Sequence, residues 1–203
     1  GRPIKAIAAG QGRSPAAVND AVEAVLLKLA LGASAGREGA LKRLRMLQSA
    51  VRVPDHGRLV PFRFLRIAGD ARQALGDFIA ARTLQREPAA LPAQLDKERH
   101  RFSHAPVVVA VVARIRAGHK VPEQEQLLSA GCACFALLQA AQALGYGAQW
   151  LTAWMAYDPE VARYLGLAAG ERIVGFIHIG TPTRDARERE RPDAQALLAD
   201  WTP

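Results

Sequence analysis

The chain has 203 residues, half of them apolar and 23% charged, which is ordinary globular composition and enough for one domain with a sizeable core. Its formal charge is +8, but acidic residues interleave with the arginines, as in residues 184–191, and only twelve aromatics are available to stack bases. A nucleic-acid partner is therefore set aside in favour of a general preference for anionic ligands.

No apolar run reaches the length of a bilayer span, and residues 4–9 are too short and lack the flanks of a secretory signal, so the reading is cytoplasmic with no membrane partner. Residues 1–17 define no element. The periodicity predicts a helix over 20–31, N-capped by Asp20, and a small-residue break over 32–39. A second amphipathic helix follows over 41–51. It sets Leu41, Leu44, Leu47 and Val51 on one face, and Lys42, Arg43 and Arg45 on the other. Val53-Pro54-Asp55-His56-Gly57 is a turn, and residues 61–67 alternate apolar and basic as a half-buried strand does.

A helix is expected over 70–82, a loop over 87–92 and a charged helix over 94–101. The β-branched run 106–113 reads as a central strand covered on both faces. Residues 122–145 form a long helix too apolar all round for a surface element, and so a candidate for the core and for a dimer interface. Within it Cys132 and Cys134 read as small buried hydrophobes; no second ligand cluster accompanies them to make a metal site. A short strand over 148–154, a helix over 158–165 stopped by Gly166, and a core strand over 172–180 complete the order. The tail is charged until Leu197, Leu198 and Trp201, apolar residues that suggest packing on a partner subunit. The fold class is α+β in a single domain spanning 1–203, with 1–17 and 183–203 as extended or partner-wrapping ends.

No GxSxG, P-loop, HExxH or post-strand GxGxxG is present. The histidines are dispersed, and His178, inside a core strand, reads as structural. Three segments carry more. They are Arg52-Val53-Pro54-Asp55-His56-Gly57 with Pro61-Phe62-Arg63-Phe64; Gly118-His119-Lys120-Val121-Pro122 running into Ser129-Ala130-Gly131; and 145–154 followed by 173–182. In this order and spacing they resemble the small bacterial nitroreductases, whose hallmark is an R-x-P-D-H turn followed by P-[WF]-x-F. The resemblance spans roughly 41–182.

The resemblance implies a mostly antiparallel central sheet flanked by helices in an intertwined homodimer. FMN would lie between the subunits, and NAD(P)H would reduce it. The implied function is an FMN-dependent NAD(P)H oxidoreductase acting on nitro compounds, quinones or related small-molecule electron acceptors. The alternative is a flavin-binding or flavin-free relative without turnover. Such a reaction needs few protein acids or bases, because the flavin carries the chemistry. By motif match Arg52 lies at the flavin's polar edge or ribityl chain, and His56 is a second flavin neighbour. Leu151-Thr152-Ala153 occupies the place of the family's [ST]-G contact, with Ala153 replacing the usual glycine. Ala141, Gln142, Gly145 and Tyr146 match the nicotinamide stretch, although the core reading is the better one for Ala141. The family's R-R-S-x-R phosphate anchor is incomplete here. Arg13-Ser14 and the Lys28 region compete for its place, and Arg184 or Arg187 could also reach a phosphate.

Overall fold

The computed structural model describes residues 36–183 and 188–202. The expected helix over 20–31 and the residues Arg13, Ser14, Lys28, Arg184 and Arg187 lie outside this range.

The run of β-branched residues at Val107–Arg114 forms a central strand, as its composition predicts, because both of its faces can be covered by apolar groups. In chain order the strands are β1 (Phe62–Ala68), β2 (Val107–Arg114), β3 (Gly147–Leu151) and β4 (Glu171–Gly180). They form one antiparallel sheet in the order β1-β2-β4-β3. The helices are α1 (Gly36–Ala50), α2 (Asp70–Arg86), α3 (Pro92–His100), α4 (Glu123–Ala143) and α5 (Pro159–Tyr164). The α+β expectation holds.

Side-chain alternation sorts the sheet into two faces. Phe62, Val109, Val111, Ala113, Ile177 and Ile179 pack with Ala130, Ala133, Cys134, Leu137 and Ala141 of α4, and with Met46 and Ala50 of α1 beyond it. Ile67, Val108, Ala110, Ile173 and Phe176 point the other way, onto Leu75 and Ile79 of α2, Phe102, Met155 and Val161 of α5. Ile173 and Ile177 face opposite sides although four residues apart. The register slips between them: Val111 pairs with Gly175 but Val112 with Ile173, leaving Val174 as the extra residue of a β-bulge.

Several boundaries differ from expectation. Helix α1 starts at Gly36, inside the predicted break, although each glycine costs a helix roughly 1 kcal/mol. Met46 and Ala50 are buried, while Val51 lies past the helix end and is exposed. Helix α2 runs one turn further than predicted, to Arg86, whose guanidinium lies 4.3 Å from the Trp154 ring centre. Helix α3 begins earlier, with Pro92 at its first position and the Leu91 amide donating to Gln94 Oε1 at 2.7 Å. The third strand ends at Leu151, because Ala153 turns the chain at φ +56° into the short 3-10 turn Trp154–Ala156.

Helix α4 corrects two readings. Its 21 residues are long and apolar enough to cross a membrane by length and composition, contrary to expectation, yet one side of the helix is buried on the sheet. Its two cysteines also differ: Cys134 is buried, and burial pushes its thiol up to about 12, whereas Cys132 is exposed. Two residues along a helix turn the side chain by about 200°, so one helix cannot bury both against the same sheet. The opposite side of α4 leaves Leu128 and Phe135 exposed.

Candidate functional site

The Pro54-Asp55-His56-Gly57 sequence forms a tight loop held from two directions. Internally, the Asp55 carboxylate accepts the backbone N–H groups of Leu59 and Val60, both at 2.9 Å. This closes a chain reversal in which Gly57 (φ +69°), Arg58 (φ +54°) and Val60 (φ +47°) all adopt left-handed backbone. Glycine accepts that geometry without penalty; β-branched Val60 does not, and such residues persist only where their surroundings over-determine them.

The surroundings are the first turns of α4. Ser129 Oγ–H donates to the Pro54 carbonyl at 2.5 Å, and His56 Nδ1 lies 2.7 Å from Glu125 Oε2. Between these two residues Gln126, 1% exposed, accepts from the Arg116 amide at 2.8 Å and donates to the carbonyls of Val121 and Arg116 at 2.9 and 3.2 Å. This ties the β2–α4 connection to the helix, and Arg116 Nη2 in turn donates to the Leu59 carbonyl at 3.5 Å. A buried amide with all its polar atoms engaged is costly to displace, so the loop has a rigid base.

Two grooves open along α4. One, of about 640 Å³, runs between Arg45, Gln48, Ser49, Val51 and Arg52 at the end of α1 and Ala140, Ala143 and Leu144 at the end of α4. The other, of about 780 Å³, opens between the exposed side of α4 at Leu128 and Gly131, the indole of Trp150, and the segment from Tyr157 to Arg172. Trp150 packs against β4 at Gly175, where a Cβ would sit 2.0 Å from Trp150 Nε1. Asp158 anchors the far wall. Its Oδ1 caps α5 by accepting from the amides of Glu160 and Val161, and its carboxylate pairs with Arg82 of α2 at 3.1 Å. Burial works against its charge, but Arg82 and the two amides outweigh it and hold the carboxyl below its ordinary value.

Two further titrations are set by the fold. Arg63 donates to both Glu171 oxygens at 2.6 Å; this pairing, against the opposing effect of burial, and with help from the Ala168 amide and Arg114, lowers the Glu171 carboxyl to about 2. His178 is buried, stacked 5.7 Å from the Phe102 ring, and desolvation, then the charges of His104 and Arg101, lower it to about 4. It sits in the core as a structural residue.

The sequence-predicted residues distribute as follows. Arg52 is exposed and borders the smaller groove; His56 is exposed on the same loop. Leu151 and Thr152 are half-buried after β3, and Ala153 is exposed, in the glycine-type backbone that its family position implied. Gln142 and Gly145 are exposed and Tyr146 is half-buried, with Lys42 Nζ 5.9 Å from its ring centre, while Ala141 is fully buried in the core. At the end of α4 the groove that Arg52 borders is lined by Ala140, Ala143 and Leu144 and by none of Ala141, Gln142, Gly145 and Tyr146, and 151–153 line neither groove. Sequence reasoning did not single out Asp55, Glu125, Gln126 or Ser129. All four lie in or beside the segments that carried the resemblance, and an acidic residue two positions before a turn glycine was the one local signal.

The described residues define an α+β protein whose four-stranded antiparallel sheet is covered on one face by an apolar helix, with a strained, helix-braced loop at one end of that helix. The chain belongs to the nitroreductase family: the family model matches residues 40–181. It is 34% identical over 142 residues to "Putative NAD(P)H nitroreductase YdjA" of Escherichia coli K12, a match covering 68% of this chain and 74% of that protein. The fold is that of solved relatives. The nitroreductase-like family protein of Bacillus cereus superposes with a TM-score of 0.66 at 19% identity, over 78% of this chain and 82% of that one. A Desulfovibrio desulfuricans protein, described as a putative nitroreductase in complex with FMN, superposes at 0.62 with 24% identity, over 80% and 86%.

Proposed function

We propose that the chain is an FMN-dependent NAD(P)H oxidoreductase that reduces nitro compounds, quinones or related acceptors as a homodimer. The observation that carries this reading is that Arg52, two residues before the braced loop that displays His56, borders one groove with Ala140, Ala143 and Leu144, beside the residues that the resemblance matches to nicotinamide. The relatives' names, an NAD(P)H nitroreductase and a protein in complex with FMN, support it.

The donor set suits the group. A guanidinium offers several N–H donors to carbonyl and hydroxyl oxygens, and an imidazole on the same loop adds another polar contact. Arg52 and His56 would hold the polar side of FMN. When bound, FMN supplies the centre that takes up and passes on hydride. The protein's part is to bind, orient and exclude water. A cation beside the ring's carbonyl edge also favours the anionic reduced form. Of the phosphate-side candidates, Arg13-Ser14, the Lys28 region and Arg184 each offer cationic charge to a phosphate.

The dimer reading rests on the exposed apolar side of α4, Leu128 and Phe135, and on the still more exposed Leu197, Leu198 and Trp201 of the tail. Light scattering on the full chain tests it; a monomer at micromolar concentration would refute it. The cofactor reading is tested by titrating purified protein with FMN and following quenching of flavin fluorescence, then NADH and NADPH oxidation with a nitroarene or quinone. Binding that weakens at least tenfold in Arg52→Ala supports the assignment. Protein that takes up no FMN overturns it.

A further inference from the structure

We propose that Glu125 is the positioning residue that fixes which nitrogen of His56 is presented to the flavin, an inference that rests on the flavin reading above. A carboxylate has only acceptors to offer, so the 2.7 Å contact between His56 Nδ1 and Glu125 Oε2 requires the imidazole to carry its proton on Nδ1. In the neutral ring, Nε2 is then left as an acceptor. The tautomer of a histidine is set by the partner of its other nitrogen, and that partner fixes the ring plane as well.

The pair is not a local accident of the turn. Its partners are 69 residues apart, and Glu125 stands on the first turn of α4, beside the buried Gln126 and one turn before Ser129, the residue that fixes Pro54. The helix thus grips both the backbone of the loop, at Pro54, and the side chain that the loop displays, at His56. As a hydrogen bond between two exposed side chains it contributes little to stability. What it supplies is orientation: an imidazole presenting Nε2 as an acceptor suits a hydrogen-bond donor on the flavin, and one presenting Nε2–H suits a carbonyl or hydroxyl oxygen.

Long-range 1H–15N correlation spectra of histidine-labelled protein without flavin, with the His56 signals assigned from His56→Asn, report the tautomer directly. Fluorescence titration with FMN reports its consequence. The expected result is a pyridine-like Nε2 in the parent protein and in Glu125→Gln, whose amide oxygen still accepts from Nδ1. In Glu125→Ala the ring shifts toward protonated Nε2. FMN binding weakens about three- to tenfold in Glu125→Ala, little in Glu125→Gln, and not further when Glu125→Ala is added to His56→Asn. A tautomer unchanged in Glu125→Ala overturns the proposal, as does an equal loss of affinity in the His56→Asn background, which would mean that Glu125 acts by another route. A parent protein that binds no FMN overturns the flavin reading and this inference with it, and the tautomer spectra then show separately whether Glu125 sets the ring. Unchanged thermal midpoints across the set exclude unfolding as the cause.

Discussion

Replacing Ala153 by glycine should stabilise this protein, against the usual direction of such a change. Ala153 sits at φ +56°, ψ −176°, a region essentially reserved for glycine, where a residue bearing a Cβ is strained by about 1–3 kcal/mol. Removing the methyl group releases that strain. Opposing it is the added freedom of glycine in the unfolded chain, about 0.4–1 kcal/mol. Loss of apolar burial is negligible because the residue is exposed. The balance is a gain of about 1 kcal/mol, or a rise of about 2–4 °C in Tm for a chain of this size. Urea unfolding should show a higher midpoint at unchanged slope. Ala74→Gly, at an exposed position inside α2, is the control and should lose about 0.5–1 kcal/mol. If Ala153→Gly loses stability as the control does, the backbone argument is refuted.

His178 makes stability depend on pH with a definite sign. Its ordinary value of 6.5 falls to about 4 in the folded protein. Between those limits the unfolded chain binds a proton that the folded one refuses, so stability declines as pH drops from about 6.5 to about 4, by roughly 3 kcal/mol in all. His178→Gln should flatten urea midpoints across that window; parallel pH curves for the two proteins would contradict the burial argument. Gly76→Ala would place a Cβ 1.9 Å from the Arg99 carbonyl oxygen, forcing α2 and α3 apart. Overpacking should outweigh the gain in helix propensity and cost about 1–3 kcal/mol by urea unfolding; a stabilised variant would show that the crossing is looser than described. Gly175→Ala should lift the Trp150 indole off β4 and shift tryptophan emission to the red, with a loss of similar size that largely vanishes in a Trp150→Ala background. Additive losses would mean that the indole is not what the new methyl meets.

What the sequence disclosed follows the range of the interactions involved. The β-branched run at Val107–Arg114 and the apolar α4 announce themselves because burial acts on composition within one segment. The loop at Pro54-Asp55-His56-Gly57 was legible because its turn chemistry is local, down to the side-chain bonds from Asp55 to amides four and five residues on. The start of α1 was hidden because Gly36 and Gly39 read locally as a break, and the helix runs through them. The different fates of Cys132 and Cys134 required knowing which side of α4 meets the sheet. Likewise, Trp150 against Gly175 and Glu125 against His56 are contacts between distant segments, visible only once the topology brings them together. Ala153 is the instructive middle case: its departure from the family's glycine was plain in the sequence, but the backbone strain it entails was visible only in the fold.

Helix α4 also sets a rotational phase. Near its start, Glu125 and Ser129 hold the His56 loop; at its end, Ala140 and Ala143 border the groove that Arg52 lines. Each helical residue turns the chain by about 100° and advances it about 1.5 Å. Insertion or deletion of a single residue between these ends would therefore swing one of them about a quarter turn away from the other, while the sheet holds the middle in place. A helix one residue longer or shorter would lose that relation, so the residue count between Ser129 and Ala143 keeps the loop's base and the groove wall in phase.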